Sequence, residues 1–312
     1  MLVDVYQGKD PAQKKRRAKA DTYLRFLENV YKPWLLSNIR SGEATIAMLK
    51  ANFTEFHSLK LHEITPLVVE KWRAKRQKDG IKAATINRDL ATLKACIKRA
   101  LEWEYLDTYP LDKVRFSKVD GMGKVRYLKD DEPARLHAAL SAREVKQRAE
   151  RKSANEWRKK RGYPLFPDLD DVVFTDELQP AVLLSLHTGL RRGELFGLKW
   201  ADIDFVLKSL TVVAETAKTG KTRHVPVNEV ALKILLDWRS QCDAAATYVF
   251  EGSDGKPLHD LRTTWGNLLK EAKIDKFRWH DMRHDFARAN TVTLGWNFRV
   301  CRRIENVLES FE

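Results

Sequence analysis

The 312-residue sequence has little of what marks secreted or membrane proteins. Its three cysteines, Cys96, Cys242 and Cys301, are widely scattered, which argues against a disulfide framework and against a cysteine-based zinc site. No stretch approaches the run of about 18 apolar residues that a membrane span needs. The first residues also lack the apolar core of a signal peptide. We therefore expect a cytoplasmic protein that does not enter a membrane.

Positive charge is what the sequence has in excess. Lysine and arginine total 57 against 43 aspartates and glutamates, which gives a net charge of +14. A surplus of this size is typical of proteins that bind a polyanion, and nucleic acid is the commonest polyanion. A basic surface without a function would give the same composition, so charge alone does not decide between the two.

The first third of the chain is predicted to be helical. Residues 1–20 form a basic leader that either touches phosphates or is only solvated. From residue 21 to 112, apolar residues recur at helical spacing in four segments, which predicts a four-helix domain. Ser41 and Thr65 are placed as helix N-caps, the second with a proline after it.

The last of these helices, predicted over residues 83–105, is amphipathic and basic. Its apolar stripe contains Ile86, Leu90, Leu93, Ile97 and Leu101. Its polar side contains four cations: Arg88, Lys94, Lys98 and Arg99. A helix of this kind fits the major groove of DNA, where lysine and arginine contact phosphates and base edges. A solvated charged face has the same pattern.

The rest of the chain mixes helices with short strands. Residues 113–126 contain two glycines and several lysines, and we place an interdomain linker there, before a second domain over 127–312. The highly charged segment 143–164 is either a surface insertion or an extended helix. The segments 209–215 and 223–227 alternate like strands, and a turn between them predicts a β-hairpin.

One arginine in the second domain is placed to bind an anion. A buried helix is predicted to end at Gly189, and Arg191 follows at the edge of apolar packing, with Glu194 three residues on to brace it. Such an arginine suits an anion-binding pocket. A salt-bridged arginine in a helix cap is the alternative.

Two histidines lie close together in "HDMRHD", residues 280–285. His280 and His284 have the spacing of zinc ligands on a helix. A zinc protease motif needs glutamate after the first histidine, where Asp281 stands, and no third ligand is evident nearby. We therefore predict neither a metal site nor any other cofactor.

Three segments, in this order, resemble the tyrosine recombinases of the phage integrase family. They are "TGLRRGELFGLKWADID" (188–204), "AKTGKTRHVPV" (217–227) and "FRWHDMRHDFA" (277–287). The resemblance implies a mainly α fold with a small antiparallel β-sheet. It implies a four-helix, SAM-like core-binding domain followed by an α+β catalytic domain, with the leader similar to the linker that follows an arm-binding domain. Type IB topoisomerases share the active-site chemistry, but the helical basic domain before T-G-L-R favours integrases.

The resemblance also implies metal-free phosphoryl transfer on double-stranded DNA of the attachment-site type. Arg191 and Arg283 would hold the phosphate oxygens, Lys218 would protonate the leaving oxygen and His280 would hydrogen-bond the phosphate. Glu194 and His284 would support these residues, and Lys221 would join the basic helix in contacting DNA. Family members assemble on DNA as tetramers.

The sequence departs from the family pattern after Arg283. The family's nucleophile is a tyrosine about thirty residues beyond that arginine, preceded by a Gly-His segment. Here the last of the eight tyrosines is Tyr248, and the residues from about 288 do not match. We hypothesise a reading-frame change near residue 288, which leaves the catalytic domain truncated and assembly impaired. The chain is then either a recombinase that cannot cleave or a non-catalytic DNA-binding relic or regulator.

Overall fold

The computed structural model describes residues 21–119, 125–214 and 221–293, with side chains of the last helix described as far as Ala289. The chain divides into two compact units, one ending at Gly123 and the other beginning at Lys124. The fold is mainly helical with one small antiparallel sheet, as expected. In the described residues, no helix is long and apolar enough to span a membrane.

In its described residues, the first unit contains four longer helical segments and two short 3-10 helices, Thr54–Phe56 and Leu61–Glu63. The first of the longer segments is continuous and is made of α1, a π-helical turn and α2; the others are α3, α4 and α5. Their bounds are Tyr23–Phe26 for α1, Leu27–Tyr31 for the π turn, Lys32–Asn38 for α2, Gly42–Asn52 for α3, Pro66–Lys78 for α4 and Ala83–Glu102 for α5. The Thr65 side chain accepts a hydrogen bond from the Val68 N–H, as predicted for an N-cap. Ser41 occupies the N-cap position of α3 but makes no capping bond through its side chain.

The predicted apolar stripe of α5 faces the core of this unit. Ile86, Leu90, Leu93 and Ile97 are fully buried, while Leu101 is partly buried against the same core. Each buried side chain of this size contributes about 1.5–3 kcal/mol. Burial of this stripe therefore determines which face of α5 packs against the core, and it is the face that the sequence predicts.

The second unit contains six helices and a three-stranded sheet in its described residues. The helices are α6 (Glu132–Lys159), α7 (Leu178–Thr188), α8 (Arg192–Phe196), α9 (Glu229–Gln241), α10 (Arg262–Glu271) and α11 (Asp281–Thr293). The strands are β1 (Ile203–Asp204), β2 (Ser209–Val212) and β3 (Arg223–Pro226). Of the two alternatives for residues 143–164, the extended helix is observed as far as Lys159.

The sheet contains the predicted hairpin. β2 pairs with β3 in antiparallel register, with Leu210 opposite Val225 and Val212 opposite Arg223. Leu210 and Val225 are buried, so this face of the hairpin packs on the core. Residues 215–220, where the sequence predicts the hairpin turn, lie outside the described residues.

A single glycine fixes where α11 packs. Gly189 ends α7 in the left-handed conformation, with φ of 63°. A Cβ added at this position would lie only 2.3 Å from Cδ1 of Phe286 on α11. The absence of a side chain therefore permits both the turn after α7 and the close approach of α11. This turn leads directly into Arg191, and α11 contains Arg283.

We expect Gly189→Ala to lower the free energy of unfolding by about 2–5 kcal/mol. The left-handed backbone costs an alanine about 1–2 kcal/mol, and overpacking against Phe286 adds about 1–3 kcal/mol. Urea denaturation checks this, with Gly162→Ala as the matched control. Gly162 also has a positive φ, of 71°, but nothing lies within 4 Å of its added Cβ. Equal losses in the two variants would show that the Phe286 contact does not constrain the turn.

Candidate phosphate-binding site

The first arginine of the site lies in the turn between α7 and α8. Arg191 has extended backbone and is the residue immediately before α8. Its backbone N–H donates to Oε2 of Glu194 at 2.9 Å, and its guanidinium Nη1 donates to Oε1 at 3.1 Å. Both bonds hold the guanidinium close to its own backbone. The bracing by Glu194 that the sequence suggests is therefore present.

Glu194 is buried and forms ion pairs with two arginines. Only 2% of the residue's surface is exposed. Its Oε2 also accepts a hydrogen bond of 2.6 Å from Nη2 of Arg223 on β3. Burial alone would raise the pKa of Glu194, but the bonds from Arg223 and Arg191 outweigh burial and lower it. The carboxylate is therefore ionised at neutral pH and links α8 to the hairpin.

The second arginine reaches the same turn from α11. Arg283 lies in the first turn of that helix, and its Nη1 donates to the carbonyl oxygen of Gly189 at 2.6 Å. Gly189 is two residues before Arg191 in the chain. Arg191 and Arg283, which are 92 positions apart by number, are therefore brought to one short stretch of backbone. Two planar cations at one place form a suitable site for an oxyanion.

His280 lies immediately before α11 and next to both arginines. Partial burial, followed by repulsion from His284 and Arg283, lowers the pKa of His280; Arg191 also lowers it, while Asp281 opposes the shift. The rings of His280 and His284 meet edge to face at a centroid distance of 5.1 Å. His280 is therefore neutral at pH 7 and able to accept as well as donate a hydrogen bond.

Two aspartates hold the start of α11. Asp281 is completely buried and accepts bonds from the backbone N–H of Arg278 at 2.7 Å and from its guanidinium at 2.6 Å. Asp285 accepts a bond of 3.1 Å from the backbone N–H of Leu128. Burial raises the pKa of Asp285, whereas the bonds from Arg278 overcome burial and lower the pKa of Asp281. These contacts fix the helix that contains His280 and Arg283.

The other candidates from the sequence are placed differently. Lys218 lies outside the described residues, and Lys221 is exposed just before β3. Within the described residues, no cluster of three histidine, cysteine or carboxylate side chains could hold a metal ion. Tyr248, the last tyrosine in the chain, lies across from Lys199 in an isolated β-bridge, with the ammonium 5.8 Å from the ring centre.

The four cations of α5 have different surroundings. Arg88 and Lys98 are exposed. Lys94 donates to the carbonyl of Val114 at 2.9 Å. Arg99 stacks at 4.2 Å over the ring of Trp34 and pairs with a glutamate at 2.6 Å. Lys94 and Arg99 therefore stabilise their own unit, whatever else they contact.

Arg223 was missed by reasoning from the sequence, although a signal for it exists. Strand alternation places Arg223 on the same face as Val225 and Val227, which are buried. An arginine on a buried face requires a carboxylate nearby. The alternation therefore predicts that Arg223 pairs with a carboxylate, but it does not predict that this carboxylate is Glu194.

The fold resembles solved tyrosine recombinase structures along most of the chain. One match is a lambda integrase dimer bound to a COC′ core site, with 17% identity, a TM-score of 0.63, and 94% of this chain and 78% of that chain covered. Another is the Tn1549 transposon integrase in complex with transposon right end DNA, with 18% identity, a TM-score of 0.63, and 89% and 88% covered. At these identities the likeness establishes the fold.

Residues 175–303 match the model of the phage integrase family. The integrase of Salmonella phage P22 is 27% identical over 218 residues, covering 65% of this chain and 46% of that protein. The chain thus spans about half the length of the curated relatives it matches. Residues 175–303 are therefore similar to the phage integrase family, and the fold of the chain is similar to that of the solved integrases.

Glu194→Gln is expected to cost about 3 kcal/mol of stability at neutral pH, because it leaves two arginines without their buried counter-charge. The lowered pKa of Glu194 means that its contribution is present above the unfolded value near 4.5 and is lost as pH falls through the folded pKa. Unfolding curves measured from pH 7 to pH 3 should therefore converge for the two proteins. Glu229→Gln, at an exposed ion pair, controls for loss of a carboxylate. A constant gap between the curves down to pH 3 would contradict this account.

His280 is expected to titrate below the usual histidine value of about 6.5. Because Arg283 contributes to the lowering, Arg283→Ala should move the pKa of His280 upward. NMR titration of the ring protons checks both statements, with the resonance assigned through His280→Gln. A His280 pKa at or above 6.5 in the free protein would contradict the lowering, and an unchanged pKa in Arg283→Ala would show that Arg283 does not act on the ring.

Proposed function

We propose that this chain binds double-stranded DNA and holds one backbone phosphate at the site formed by Arg191, Arg283 and His280. The observation that carries the proposal is the bond from Arg283 to the carbonyl of Gly189, which brings the second arginine to the turn of the first. Two guanidinium groups beside a neutral imidazole suit the non-bridging oxygens of a phosphodiester. The similarity of residues 175–303 to the phage integrase family supports site-specific recombination as the activity in which such a site takes part.

The chemistry proposed for this site is metal-free phosphoryl transfer. Negative charge grows on the non-bridging oxygens as the phosphodiester is attacked in line, and Arg191 and Arg283 would stabilise that charge. His280 would hydrogen-bond an oxygen of the same phosphate, with His284 beside it. Lys218, on the hairpin turn, would act as general acid toward the departing oxygen. Glu194 would orient Arg191 without touching the DNA.

DNA contacts away from this phosphate are proposed for the four-helix unit. Residues 21–112 would form the core-binding domain, 113–126 the linker and 127–312 the catalytic domain. The exposed Arg88 and Lys98 on α5 are the best placed of its four cations to contact phosphates, and Lys221 would add a contact from the hairpin. Attachment-type sites, self-association on DNA and a cytoplasmic location are parts of the same proposal.

We further propose that a polypeptide of this sequence binds its DNA without cutting it. No tyrosine follows Tyr248 among the 312 residues, so none of the eight tyrosines matches the family's nucleophile. Without a nucleophile, the arginines can bind a phosphate but no covalent 3′-phosphotyrosine can form. The competing function is a non-catalytic DNA-binding regulator derived from an integrase. The two functions differ in whether a covalent step occurs on the DNA when a complete partner recombinase is also present.

The test begins with selection of a binding sequence from a pool of random duplexes. A nicked duplex that carries the selected sequence should be retained without forming a covalent protein–DNA adduct on a denaturing gel. Arg191→Ala and Arg283→Ala should each weaken binding about 3- to 10-fold, or about 0.7–1.4 kcal/mol. An adduct that maps to any tyrosine would overturn the non-cleaving part of the proposal.

Lys233→Ala is the control for this binding measurement. Lys233 is exposed on α9 and pairs with Asp237 at 2.7 Å, so the variant removes a positive charge away from the site. If it weakens binding as much as Arg191→Ala, the effect is one of net charge, and the phosphate site is not supported. If the unchanged protein retains no duplex at all, the DNA-binding proposal itself is wrong.

A further inference from the structure

A projection of the second unit has no hydrophobic core. It consists of residues 145–173, which include the C-terminal part of α6 and the chain that returns alongside it. None of these residues is buried, whereas the part of α6 before it buries Leu136, Leu140 and Glu144. An extension of this length costs conformational entropy that is not offset by apolar burial. Other contacts therefore hold it in place.

Side chains of α6 clamp the returning chain by its backbone. Arg148 donates to the carbonyl of Val173 at 3.0 Å, and Arg151 donates to the carbonyl of Pro167 at 2.8 Å. The amide of Asn155 both donates to and accepts from the backbone of Phe166 at 2.9 Å. The bonds from the two arginines are charge-assisted and therefore stronger than bonds between neutral groups. The projection is therefore an ordered feature.

The end of this projection is strongly basic. The tip, which we define as residues 157–163, reads W-R-K-K-R-G-Y and contains four cations and no carboxylate. Trp157 and Tyr163 stack at a centroid distance of 5.8 Å and are 50% and 52% exposed. The chain turns at Gly162, whose φ is 71°.

The four cations of the tip divide into two pairs. Arg158 bonds the carbonyl of Pro164 at 2.5 Å and stacks over Phe166 at 4.1 Å. Arg161 stacks over Trp157 at 4.2 Å. Lys159 and Lys160 are exposed, and neither forms an ion pair within the described residues. The arginines thus build the tip, and the lysines are presented to solvent.

We infer that the tip is a second DNA-backbone contact, at which Lys159 and Lys160 bind phosphates away from the Arg191–Arg283 site. Two adjacent exposed lysines, neither in an ion pair among the described residues, offer point charges on an ordered support that suit phosphate oxygens without reading base sequence. DNA is favoured over an acidic peptide because the chain carries a net charge of +14 and residues 175–303 are similar to the phage integrase family. The inference rests on the DNA binding proposed above.

The salt dependence of binding to a long duplex of random sequence tests the inference. Each lost phosphate contact lowers the slope of log affinity against log salt by about 0.9. The double variant Lys159→Ala with Lys160→Ala should therefore lower the slope by about 1–2 over roughly 50–200 mM salt, with affinity at the low-salt end reduced about tenfold or more. Both lysines are exposed, so the urea unfolding midpoint should not change.

Lys146→Ala is the matched control. Lys146 is exposed on the same helix, but its ammonium lies 3.9 Å from Glu150, so we expect an unchanged slope. If the unchanged protein binds the duplex and the double variant has the same slope, the inference is wrong while DNA binding stands. If the control lowers the slope as much per lysine as the double variant, the tip is not a distinct contact. If the unchanged protein does not bind, the proposed function fails first.

Discussion

The geometry of the site depends on one buried carboxylate. Glu194 accepts hydrogen bonds from the backbone and side chain of Arg191 and from the side chain of Arg223. A buried charge is costly unless it is paired, and here two cations from different elements pair with it. The same ion therefore orients the first site arginine and ties the hairpin to α8. Both oxygens of Glu194 accept hydrogen bonds from these arginines.

The second constraint is the absence of a side chain at Gly189. The backbone of this residue is left-handed, its carbonyl accepts the bond from Arg283, and Phe286 fills the space where a Cβ would stand. A larger residue would strain the turn and move α11 outward. Because His280 begins the same helix, such a shift would separate the imidazole and Arg283 from Arg191. One glycine thus sets the spacing between residues that are distant in the sequence.

Local parts of this arrangement could be predicted from the sequence, and distant parts could not. The Arg191–Glu194 contact spans three residues at a helix start, so spacing alone suggests it. The four-helix unit and the hairpin follow from apolar periodicity. The pairing of Arg223 with Glu194 and the bond from Arg283 to Gly189 depend on how the hairpin and α11 pack. Spacing carries no information on those contacts, and only the family resemblance suggested that the two arginines meet. Lys218 stays a prediction, since it lies outside the described residues.

Counting basic residues overstates how much of this surface can bind DNA. Lys94, Arg99, Arg158 and Arg161 are all committed to carbonyls, rings or carboxylates of the protein itself. Arginine predominates among these structural cations because its planar group stacks on aromatic rings and donates along several directions. The exposed lysines, by contrast, have strongly hydrated ammonium groups that gain little from such packing. The cations bonded within the protein therefore shape the surface, whereas exposed ones such as Arg88, Lys98, Lys159 and Lys160 can exchange counterions for phosphates.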